Sequence, residues 1–166
     1  MVTEFNGPAQ ELIRGVLADH PKWRGYAQAY GPSDDADAEE GSVRFVVPSP
    51  CDPTHSLELA LRGNTIEVAY DCGIAGARAE QQFVSSATAT TGDLVTAVRQ
   101  FVRDLCTGQV VVVRERLGVV ARSIRRDGAE ELAWFRSLED AEALQPGRYS
   151  AIHSWSATRD NADGPA

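Results

Sequence analysis

Three cysteines and three histidines carry most of the covalent chemistry open to this chain of 166 residues. They are Cys51, Cys72, Cys106, His20, His55 and His153. Cys72 lies in "EVAYDCGIAGARAE", where an apolar and polar alternation runs into glycines and Arg78. A cysteine nucleophile needs a base, commonly an imidazole, set beside it by the fold. No spacing brings a histidine to Cys72, and His20 reads as structural at a helix end. His153 falls on an expected strand, where it could reach the sheet surface. "GIAGAR" after a strand could cradle a phosphate, but it lacks the lysine of a P-loop and the third glycine of a dinucleotide fingerprint. The stretch therefore reads as a loop leaving a sheet. Cys51 and His55 are four apart, yet no second ligand pair has zinc-like spacing, so neither metal nor cofactor is expected.

Two further groups could act. Glu58 and Glu67 are expected as near-diagonal neighbours on one sheet face, a spacing that could suit paired acid and base work. A solvated or partner-binding face is the plainer reading. Arg114, Arg116, Arg122, Arg125 and Arg126 could touch phosphate, but no stacking aromatics accompany them. They are expected to have intramolecular partners, and nucleic-acid binding is disfavoured.

The elements that place these residues follow from periodicity. "PAQELIRGVLAD" puts Leu12, Ile13, Val16 and Leu17 on one helical face, opened by Pro8 and closed before Pro21. "SVRFVVPSP" alternates as a strand. "HSLELALR" and "TIEVAYDC" form a hairpin about Gly63-Asn64. Its register places Leu57, Leu59, Leu61, Ile66, Val68 and Tyr70 on the core face. Glu58, Arg62, Glu67 and Asp71 fall on the other. Residues 93–106 carry an apolar stripe at helical period, with Thr91 as expected cap and Gly108 as stop. Val110 to Val113 suit a central strand, with a second strand beyond Gly118. "AEELAWFRS" reads as a short helix and "GRYSAIHSW" as a last strand. The expected fold class is α+β: one mainly antiparallel sheet of about five to six strands, with two main helices on one face. Residues 1–160 read as a single domain and 161–166 as a disordered tail.

The composition points to a globular protein of the cytoplasm. The cysteines are few and odd in number, the N-terminus lacks a secretory pattern, and no segment is long and apolar enough to span a membrane. The formal net charge is −8. Such a surface repels nucleic acid and attracts basic partners. Asp34, Asp35, Asp37, Glu39 and Glu40 crowd one loop. With Glu58, Glu67, Asp71 and the neighbouring Trp23, they are the expected partner-binding residues.

The order "FVVPSP", a hairpin ending near "VAYDC", an amphipathic helix, "VVVV" and a final S-W-x-x-T-x-D resembles small bacterial immunity proteins found beside secreted polymorphic toxins. The resemblance covers residues 42–160. It implies a non-enzymatic protein that neutralises a cognate toxin, with a basic toxin domain as the expected kind of partner. Where such relatives carry histidines and aromatics, this chain has "DCGIAGARAEQQF", and no active residue is carried over. Two alternatives stand beside it. One is a small hydrolase-like enzyme using the sheet carboxylates or Cys72. The other is a nucleic-acid or small-ligand module using the Arg114–Arg126 hairpin.

Overall fold

The computed structural model describes residues 7–31, 42–73, 77–116, 131–145 and 147–160. In chain order the elements are α1 (Pro8–Asp19), a 3-10 turn (Pro21–Gly25), β1 (Gln28–Tyr30), β2 (Val43–Pro48), β3 (Ser56–Arg62), β4 (Thr65–Asp71), β5 (Arg78–Val84), α2 (Thr91–Cys106), β6 (Val110–Arg116), β7 (Glu131–Ser137), α3 (Leu138–Glu142), β8 (Tyr149–Ser154) and β9 (Ala157–Asp160). The fold is α+β. Its described strands form two antiparallel sheets, ordered β1-β2-β3-β4-β5 and β7-β6-β8-β9. The chain divides into two compact units, each assembled from three stretches. One comprises Met1–Pro48, Leu57–Ala69 and Gln81–Arg103; the other comprises Ser49–Ser56, Tyr70–Glu80 and Asp104–Ala166.

In the first unit, alternation does what the sequence predicts. Val43, Phe45 and Val47 are buried on β2, Leu57, Leu59 and Leu61 on β3, and Ile66 and Val68 on β4. Gly63, at φ +56, makes the tight turn between β3 and β4. On α1, Ala9, Leu12 and Val16 are buried. On α2, the stripe Leu94, Val95, Val98 and Val102 is buried, and Phe101 meets Phe83 of β5 edge to face. The two helices are tied by Arg99, which donates from Nε and Nη2 to the two oxygens of Asp19, each at 2.8 Å. Arg103 adds a third bond to Asp19 at 3.0 Å.

The cap of α2 sits one residue before its expected place. Thr90, not Thr91, accepts from the Asp93 N–H, and Asp93 accepts in return from the Thr90 N–H and hydroxyl. This is a capping box with aspartate at the third helical position. The helix ends as expected. Gly108, at φ +77, donates to Leu105 and Gln109 donates to Asp104, the paired bonds of a Schellman motif.

In the second unit, β6 is the central strand. It pairs with β7 from Val110↔Ser137 to Arg116↔Glu131, and on its other side with β8. "AEELAWFRS" is thus largely strand rather than helix. Its alanine, glutamates and leucine favour a helix locally, but a full ladder with β6 overrides that preference. The short helix begins at Leu138, where the Ser137 hydroxyl accepts from the Asp140 N–H. Val111, Val113 and Ala141 form a small core with Leu138, Leu144, Tyr149 and Ile152. Three strands, β1, β5 and β9, go beyond the sequence expectation: of the stretch "DCGIAGARAE" expected as a loop, β5 already begins at Arg78, and residues 74–76 lie outside the described residues. The second strand expected beyond Gly118 and the 161–166 tail lie outside the described residues.

Candidate functional site

The densest polar cluster of the second unit grows from the segment "SPCDPTHS". Pro50 and Pro53 limit its backbone. Asp52 then organises it: its Oδ1 accepts from the Thr54 N–H at 2.9 Å and from the Thr54 hydroxyl at 2.7 Å. This side-chain-to-backbone turn is a common use of aspartate before proline. The Asp52 carbonyl accepts from the His55 N–H, and the His55 carbonyl accepts from the Ser49 N–H. The two hydrogen bonds of Thr54 hold the Asp52 carboxyl below its usual range. Gly73, at φ +69, closes against this turn. A Cβ there would lie 2.7 Å from Thr54 Oγ1 and 2.9 Å from the Thr54 carbonyl oxygen.

The segment delivers His55 inward. Its Nε2 is 3.6 Å from Asp52 Oδ2, and its Nδ1 is 3.4 Å from the Tyr70 hydroxyl. The His55 ring meets His153 edge to face at 4.9 Å, and Tyr70 meets Trp155 at 6.4 Å. Ser49 donates to the Trp155 carbonyl at 3.4 Å. Asp52, His55 and Tyr70 therefore line up as carboxylate, imidazole and phenol. Their separations are long for proton transfer, which works at about 2.6–3.2 Å. Ser49, His55, Tyr70 and His153 are all buried. Burial pushes the Tyr70 phenol well above its ordinary range, so it stays a neutral donor. The arrangement braces the second unit from inside.

His153 is therefore buried rather than at the sheet surface. Cys72 is 1% exposed, and burial pushes its thiol up to about 12. Cys106 is pushed up to about 12 for the same reason. Both thiols are held in the unreactive protonated form. Cys51 is the exposed one, with its Sγ 3.1 Å from Ser49 Oγ. Among the described residues, no group of three or more histidines, cysteines or acids is placed to hold a metal ion.

The expected partner-binding residues fare unevenly. Glu58 lies beside Arg44 at 3.9 Å, and Glu67 accepts from the Gln82 side chain at 3.3 Å. Asp71 accepts from the Gly73 N–H at 2.8 Å. Trp23 needs correction as a surface anchor. It is 3% exposed, with its ring stacked on His20 at 4.3 Å, because the 3-10 turn folds it inward. Asp34, Asp35, Asp37, Glu39 and Glu40 lie outside the described residues. So do Arg122, Arg125 and Arg126, together with the Arg116 side chain. Arg114 is half-buried and donates to Glu131 at 2.9 Å, the kind of intramolecular partner expected for it.

Sequence reasoning passed over Trp134. On β7 it is 40% exposed. Register places Leu132, Trp134 and Arg136 on one face, opposite Glu115, Val113 and Val111 of β6. Arg136 donates to Glu115 at 3.0 Å on that face. Reading the segment as a helix hid this. Leu132, Ala133, Trp134 and Phe135 run together without alternation, so only the pairing with β6 reveals this face.

No family model, curated protein or solved structure matches the chain. No helix among the described residues is long and apolar enough to cross a membrane.

Proposed function

We propose that this chain is a non-enzymatic protein-binding domain of the cytoplasm, and in its most specific form an immunity protein that neutralises a basic toxin. The observation that carries the reading is Trp134, a large aromatic held 40% exposed on an ordered strand beside the Arg136–Glu115 pair. Tryptophan and arginine are the residue types that most often anchor protein interfaces. The net charge of −8 supplies the long-range attraction that would speed encounter with a basic partner. The reactive candidates speak less for catalysis: Cys72 is buried and protonated, and His55 and Tyr70 sit in a sealed brace.

The test is recovery of the tagged protein from its own cells, followed by direct binding to the basic protein that co-purifies. Trp134→Ala is expected to weaken that binding by tenfold or more. Reversing Asp34, Asp35 and Glu39 to lysine should slow association. Co-expression should relieve the partner's toxicity. If no protein co-purifies, or if Trp134→Ala and the reversal both bind unchanged, the reading fails.

A further inference from the structure

The junction after α1 holds a second histidine whose surroundings differ from those of His55. His20 ends α1, and its N–H donates to the Val16 carbonyl at 2.9 Å. Its carbonyl accepts from the Trp23 N–H at 3.0 Å. The rings of the two residues lie nearly parallel, 16° apart. Trp23 in turn accepts through its carbonyl from the Tyr26 and Ala27 N–H groups, and β1 follows at once. The path from the His20 ring to the edge strand of the first sheet is therefore short and continuous. β1 itself is three residues long and pairs with β2 from Gln28↔Val46 to Tyr30↔Arg44.

The His20 Nε2 atom is buried and makes no hydrogen bond among the described residues. A neutral imidazole tolerates that arrangement if this nitrogen is the bare one. An imidazolium does not, because both nitrogens then carry protons that need acceptors. The charged groups around the ring give little relief. From α2, Arg103 opposes a second positive charge. From α1, Asp19 favours one, but both its oxygens are already engaged by Arg99 and Arg103. Lys22 and Arg24 of the 3-10 turn are exposed.

We infer that His20 is an acid-sensitive latch: protonating its ring in mildly acidic solution breaks the stack on Trp23 and frees the 3-10 turn and β1 from the edge of the first sheet. Neither step depends on the binding function proposed above.

The experiment follows Trp23 emission and the amide signals of residues 27–30 by NMR in the full chain, from about pH 8 to about pH 5, the range over which histidine titrates. Wild type is expected to show one proton-linked step shared by Trp23 and β1, with its midpoint below that of a free imidazole. His20→Phe keeps a ring for the stack and cannot titrate, so the step should vanish. Trp23→Phe should remove the emission change and leave the β1 change in place. A step that survives in His20→Phe overturns the inference. So does direct titration of the wild-type His20 ring at the free-imidazole value with β1 unmoved, a measurement that stands even if a variant does not fold.

Discussion

Gly73 and Gly63 both have positive φ, yet they should respond differently to a methyl group. Gly63, at φ +56, has nothing within 4 Å of an added Cβ. Its replacement by alanine costs only the left-handed backbone penalty, about 1–2 kcal/mol. Gly73, at φ +69, meets a carbonyl oxygen at 2.9 Å as well as the Thr54 side chain. Backbone cannot yield as a flexible side chain can. Gly73→Ala should therefore cost about 3 kcal/mol or more, the penalty of a strained position plus the displaced turn. Urea unfolding of the two variants measures the difference, and equal midpoints would refute it. The glycine itself was visible in "DCGIAGAR"; its neighbour was not. Thr54 approaches Gly73 only because Asp52 turns the 49–56 segment. The same limit hid the cluster of His55, Tyr70 and His153, whose members come from a loop and two strands far apart in the chain. Periodicity can put Tyr70 on the core face, but it cannot say which imidazole waits there.

Elements were legible where two local signals agreed. The β3–β4 hairpin had alternation on both strands and a turn between them, and its six apolar side chains are buried as expected. α2 had a long stripe, a cap and a stop. Its cap can be tested directly. Thr90→Ala removes the acceptor for the Asp93 N–H and one of the donors to the Asp93 carboxylate. A loss of about 1 kcal/mol is expected, whereas Thr91→Ala should change little. Thermal unfolding of the pair decides which threonine is the cap. Elements were illegible where local preference and tertiary pairing diverged. β7 is made of helix formers and is a strand because β6 pairs with it along its length. β1 is only three residues long, and β5 exposes Glu80, Gln81 and Gln82 in succession, so neither shows clean alternation. Both are edge strands, which bury less and therefore leave a weaker pattern.

Over the whole molecule, stability should peak near neutral pH and fall on both sides for identifiable reasons. On the acid side, His20 is held below its ordinary 6.5, chiefly by burial. The unfolded chain binds that proton more readily, so stability is full above 6.5 and is lost as pH falls through it. Asp19 is held below its ordinary 3.8 by hydrogen bonds from Arg99 and Arg103. Its contribution persists above 3.8 and is lost on further acidification. On the alkaline side the sign reverses. Cys72 and Cys106 are raised by burial from 9.0 to about 12. The unfolded thiols ionise first, so stability is full below 9.0 and declines as pH rises towards 12. Each thiol adds a slope of about 1.4 kcal/mol per pH unit in that window, and the raised Tyr70 phenol steepens it further above 10. Urea unfolding across the pH range should trace this dome. Cys106→Ala should reduce the alkaline slope by about 1.4 kcal/mol per pH unit and leave the acid limb unchanged. An alkaline slope identical in wild type and Cys106→Ala would mean that this thiol is not held protonated by the fold.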